Sequence, residues 1–146
     1  MENKVQKALE LHESGYNCSQ SVIGAFCEQY GLDEKLGLKI TGGFGGGLRC
    51  GEICGAVSGA VMIIGLKYGQ NNLDDKSAKE ECYKITSEFM DKYANRNKSV
   101  VCRELLGYDV RDIDKMTLIP GRQKEICSNA IETAVLLLEE MGFQQN

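Results

Sequence analysis

Apolar residues recur at helical spacing along this chain and nowhere alternate with polar ones over the length of a strand, which confines the fold to packed helices. Five stretches carry the period. Val5, Ala8, Leu9 and His12 mark an amphipathic helix over the first dozen residues, ended by Gly15. Asn17 is a good N-cap for a second helix, Cys18 to Tyr30, with Val22, Ile23, Phe26 and Cys27 on one side and Gly31 after its end. Ile53 to Tyr68, Lys76 to Tyr93 and Gln123 to Met141 follow, with a shorter helical candidate at Cys102 to Leu106. The expectation is an all-α fold: a single compact bundle of five to six helices over residues 1–146, with a glycine-rich loop before a central helix.

The loop is Gly42 to Gly47, five glycines in six positions, where no regular element survives. The helix after it holds Gly55, Gly59 and Gly65, each costing about 1 kcal/mol relative to alanine. Gly55 and Gly59 lie one turn apart, beside Ala56 and Ala60. They would let a neighbouring backbone approach that face closely, which is why this helix is expected at the centre with the last helix against it.

Size and charge exclude several classes. A chain of 146 residues with 42% hydrophobic residues folds without disulfide support. With 17 basic and 21 acidic residues it has no positive field to hold a phosphate backbone, so nucleic-acid binding is not expected. The longest apolar stretch, Ile53 to Leu66, covers 14 positions and is too short to span a membrane. The charged start, Met1 to Ser14, lacks the pattern of a signal peptide, which points to the cytoplasm. Val135 to Leu138 place four apolar residues in succession, more than one buried stripe requires, so a homodimer is expected.

The chemistry lies in seven cysteines: Cys18, Cys27, Cys50, Cys54, Cys82, Cys102 and Cys127. A reducing compartment disfavours standing disulfides, so cysteines in this number suggest metal ligands or redox thiols. No CxxC occurs, which removes the thioredoxin pattern, paired zinc knuckles and the bacterial ferredoxin run together. Cys27 and Cys82 fall on apolar helix faces and read as packing. Cys18, Cys54 and Cys102 fall near helix starts, the last after Ser99 as a cap, where the dipole favours thiolate. Cys127 fits that trend more loosely. His12 reads as a half-buried or surface side chain, and the glycine loop lacks the motif of a nucleotide site. Its amides are expected to face the Cys54 sulfur or a bound cluster. The adjacent acidic pairs Asp74-Asp75, Glu80-Glu81 and Glu139-Glu140 diverge and read as solvated.

Asn17-Cys18-Ser19-Gln20-Ser21-Val22, the block Gly51 to Ala60 with its Cys54-Gly55-Ala56-Val57-Ser58-Gly59, Cys102-Arg103-Glu104-Leu105-Leu106-Gly107 and Cys127 together resemble the C_GCAxxG_C_C family of putative redox-active proteins. The resemblance runs nearly end to end. It implies that Cys18, Cys54, Cys102 and Cys127 are the four defining cysteines, and it brings no established reaction. A related module is similar to part of certain multihaem cytochromes to which an iron–sulfur centre is ascribed. Haem does not carry over, since CxxCH is missing.

Three readings of the four cysteines stand at this point. They bind an iron–sulfur cluster and pass electrons to an unknown redox partner; or they do metal-free thiol–disulfide exchange, Cys54 attacking and Cys50 or another nearby thiol resolving; or they hold a structural zinc. Alkylation at neutral pH is expected to single out Cys54 or Cys18.

Overall fold

The computed structural model describes residues 3–118 and 120–143. Sequence expectations touching residues 1–2, 119 and 144–146, the ends of the 1–146 domain included, lie outside them. Eight α-helices run through the described residues: α1 (Lys4–Ser14), α2 (Cys18–Phe26, prolonged by a 3₁₀ turn at Cys27–Tyr30), α3 (Glu34–Ile40), α4 (Gly55–Tyr68), α5 (Lys76–Asn97), α6 (Cys102–Leu106), α7 (Ile113–Leu118) and α8 (Arg122–Glu140). They contain no strand. One isolated antiparallel bridge joins Ile53 to Val101.

The all-α expectation holds, and all six helices read from the sequence are present. The structure adds α3 and α7. Both are short and turn their large apolar residues outward: Leu36 and Ile40 on α3 are about half exposed, and Ile113 and Leu118 on α7 are 72% and 74% exposed. Neither helix has a buried stripe from which a period could be read. Their starts are set by caps instead, Asp33 accepting from the Leu36 amide and Asp112 from the Lys115 amide.

Helix α4 lies at the centre, packed on α2, α5 and α8. Val57, Ala60, Ile63 and Ile64 from α4 meet Val22, Ile23 and Phe26 of α2, Phe89 and Tyr93 of α5, and Ile131, Ala134 and Leu138 of α8 in one continuous core. The close approach expected at its glycines is found against α2. A Cβ on Gly59 would stand 2.8 Å from the Ser19 carbonyl oxygen, and one on Gly55 would stand 3.2 Å from the Ser19 nitrogen. Two boundary differences have local causes. Ile53 is taken by the bridge, so α4 begins at Gly55; and α5 runs on to Asn97, held to α8 by Arg96–Glu140 and by Thr133 donating to Asn97 at 3.4 Å.

Within the run Val135 to Leu138, three side chains are fully buried by the chain's own helices and Leu136 alone is exposed, at 38%. The run therefore needs no second copy to cover it. No helix of the described residues is long and apolar enough to cross a membrane.

A candidate redox centre lined by four cysteines

Each of the four cysteines is delivered by a different helix. Cys18 is the first residue of α2. Its predecessor Asn17 closes a capping box, accepting from the Gln20 amide at 2.8 Å while the Gln20 side chain accepts from the Asn17 amide at 2.9 Å. Cys54 is the N-cap residue of α4 and lies against α2 because Gly55 and Gly59 let the two backbones meet. Cys102 opens α6. The Ile53–Val101 bridge fixes it beside Cys54 through paired bonds, the Cys54 amide donating to Val100 at 2.8 Å and the Cys102 amide to Glu52 at 2.6 Å. Cys127 lies in the second turn of α8.

The glycine-rich loop runs between these helix starts. A Cβ on Gly45 would stand 2.6 Å from the Asn17 side chain, and one on Gly47 would stand 2.9 Å from the Cys102 Cβ, so side chains there would force Cys18 and Cys102 apart. The loop then makes a left-handed turn: Gly46, Gly47, Leu48 and Arg49 have φ of 67°, 64°, 60° and 59°. Non-glycine residues in that region cost about 1–2 kcal/mol each. The strain delivers Arg49 to the site.

Cys18, Cys54, Cys102 and Cys127 all line one cavity of about 90 Å³, closed by Asn17, Gly45, Gly46, Gly55, Leu106, Val110 and Gln123, with His12 and Arg49 also in its wall. Of these lining residues only Arg49 carries a permanent positive charge. The other three cysteines are elsewhere. Cys27 is fully buried beneath Gly37, and Cys82 packs at the edge of the core, as expected of structural residues. Cys50 is half-buried outside the lining, its thiol 3.5 Å from the Gly47 carbonyl oxygen.

The expectation that helix starts favour thiolate at Cys18, Cys54 and Cys102 is overturned by burial. Cys18, Cys54 and Cys102 are each under a tenth exposed. Cys18 is held as a thiol because it donates to Cys127, and burial raises its pKa further. Burial raises Cys54, against the opposing pull of the Ala56 and Val57 amides, neither of which closes a cap hydrogen bond of normal geometry. The amides acting on this sulfur thus come from the first turn of α4 and not from the glycine loop. Burial also pushes Cys102 up to about 12, with the neighbouring Cys54 and Cys127 adding to it. Cys127 alone falls below the ordinary thiol range, because it accepts from Cys18. Ser99 caps nothing at α6; its hydroxyl accepts from the Val101 amide at 2.9 Å and donates to Glu104 at 2.6 Å.

Sequence reasoning missed two residues at this site. Tyr93, fully buried on α5, donates to the Cys54 sulfur at 3.8 Å. It is the next position of the stripe Ala78, Cys82, Ile85, Phe89, and a hydroxyl at the end of an apolar stripe was its signal. Arg49 left no signal, since nothing in its neighbours announces a left-handed turn. His12 is half-buried, as expected, its Nδ1 donating to the Tyr16 carbonyl oxygen at 3.0 Å and its ring in the cavity wall.

As they stand, no three His, Cys, Asp or Glu side chains among the described residues are gathered to hold one metal ion. Four cysteine thiols lining one cavity match in chemistry both the donor set of a four-cysteine zinc site and the ligand set of an iron–sulfur cluster, which takes four thiolates from anywhere in the chain.

Fold and site together define an all-α protein built around a buried four-thiol cavity. The chain belongs to the C_GCAxxG_C_C family, described as putative redox-active protein, whose model matches residues 16–141. No curated protein and no solved structure matches the chain.

Proposed function

We propose that the cavity is the redox centre of a cytosolic electron carrier and that Cys18, Cys54, Cys102 and Cys127 hold an iron–sulfur cluster in it. The observation that carries this reading is the convergence of four thiols from four helices on one cavity with Arg49 as the only fixed cation in its lining. Thiol exchange needs two of the four. Ionised together, the four would repel one another in a buried setting, which a cationic centre among them would offset.

Such a cluster supplies one-electron chemistry when bound, accepting an electron from a reduced partner protein and passing it to an oxidised one. The chain's own part is to keep the four sulfurs turned inward, to exclude water through Leu106 and Val110, and to set the charge around the centre with Arg49. Protein purified without oxygen is expected to be coloured and to contain iron and acid-labile sulfide. Replacing any one of the four cysteines with serine should abolish or greatly weaken retention, whereas Cys27→Ser should keep the iron. Colourless protein holding one zinc per chain would overturn the reading.

The pairing of Cys18 and Cys127 in the cavity wall favours a second reading: Cys127 is the one cavity thiol that is not fully buried, and the neighbouring Cys18 thiol lowers its pKa. In a metal-free protein the Cys127 thiolate would attack a partner disulfide and release one partner thiol. The Cys18 thiolate would then attack Cys127 in the mixed disulfide, forming a Cys18–Cys127 bond and releasing the second partner thiol. Iron-free protein that reduces a disulfide peptide, and loses this with Cys127→Ser, would establish it.

A further inference from the structure

Tyr93 has no need of its hydroxyl for packing. Its ring is fully buried and stacks on Phe89, one turn earlier on α5, with centroids 6.1 Å apart, and at Phe89 a bare ring suffices. A buried hydroxyl without a partner costs about 1–3 kcal/mol, so one that persists in a core is bonded. Here it donates to the sulfur of Cys54 at 3.8 Å.

We infer that Tyr93 is a positioning residue of the four-cysteine centre: its hydroxyl fixes the Cys54 sulfur and raises the reduction potential of the centre to which that sulfur belongs. The sense follows from hydrogen bonding to cluster sulfurs. A donor draws electron density from the ligand and favours the reduced, more negative state. The effect on potential rests on the proposed function; the O–H···S contact does not.

The test uses the full chain purified without oxygen. Tyr93→Phe keeps the ring and should lower the potential of the iron centre by up to tenfold in the reduction equilibrium, about 59 mV for one electron. A Tyr93→Phe protein that retains its iron and its unfolding midpoint but shows an unmoved potential overturns the inference and leaves the proposed function standing. Iron-free wild-type protein would instead overturn the proposed function. The contact is then read from the tyrosine doublet in ultraviolet resonance Raman spectra, which reports phenol hydrogen bonding. Cys54→Ala should change the doublet in the wild-type background and leave it unchanged in the Tyr93→Phe background. No change in either background overturns the inference.

Discussion

Gly59 lies so close to Ser19 that a Cβ upon it would stand 2.8 Å from the Ser19 carbonyl oxygen and 3.2 Å from its Cα. Both nearest atoms are backbone, so nothing there can rotate away. Gly59→Leu should cost more than the roughly 1–3 kcal/mol of ordinary overpacking, because α2 and α4 must separate. Gly65, on the same helix, has no atom within 4 Å of its would-be Cβ. Gly65→Ala should therefore stabilise by about 0.5–1 kcal/mol through helix propensity. Urea unfolding of the two variants checks the contrast, and equal effects would refute it.

Cys127 should be the first of the four cavity thiols to be alkylated in iron-free protein at neutral pH. Its pKa is lowered by donation from Cys18 while the other three are raised, so it alone has an enlarged thiolate fraction. Peptide mass spectrometry after brief iodoacetamide treatment reads the order. Prior labelling of Cys54 would contradict the assignment.

What could be read beforehand followed from local pattern. The stripes of α2, α4, α5 and α8 and the glycines at Gly55 and Gly59 sufficed for the all-α fold and its central helix, since burial imposes the helical period on the sequence. The family's four cysteines were marked by motif, and the structure sets all four around one cavity. The ionisation states of Cys18, Cys54 and Cys102 were misread because position in a helix is local, whereas burial is decided by helices far away in the chain. Arg49 was illegible because its place depends on a strained turn that its neighbours do not announce, and Tyr93 was marked only by its hydroxyl, since its partner depends on α5 lying across α4.

Iron-free protein should lose stability as pH rises above 9. In the unfolded chain a thiol ionises near its ordinary pKa of 9.0, whereas in the folded chain Cys102 holds its proton to about 12. Above pH 9 the unfolded state therefore binds fewer protons than the folded one, and the stabilising contribution, complete below pH 9, is lost between 9 and 12. The slope is at most about 1.4 kcal/mol per pH unit for one thiol. Denaturant midpoints from pH 7 to 10.5 should fall in the wild type and fall less steeply in Cys102→Ala.

Lys98 ends α5 with φ at 72°, a left-handed conformation that favours glycine, and its side chain is exposed. Lys98→Gly should stabilise by roughly 1 kcal/mol through relief of that backbone strain. A higher melting temperature is the expected reading, and a lower one would mean that the lysine side chain matters more than its backbone.

Cys102 differs from the other three cavity cysteines in the company it keeps. Cys18 and Cys54 belong to the main core and Cys127 packs against it, but Cys102 sits in a small separate cluster with Leu106 and Val110, flanked by Tyr108 and Ile126. It is tied to the bundle by the Ile53–Val101 bridge, the Arg103 bonds to Gly51 and Glu52, the Arg122 bond to the Leu106 carbonyl oxygen, and the packing of Leu105 on the core and of Ile126 on the cluster. A segment outside the main core is expected to open at a lower free energy than the bundle, so amide hydrogen exchange over residues 102–110 should be faster than over α2, α4 and α8.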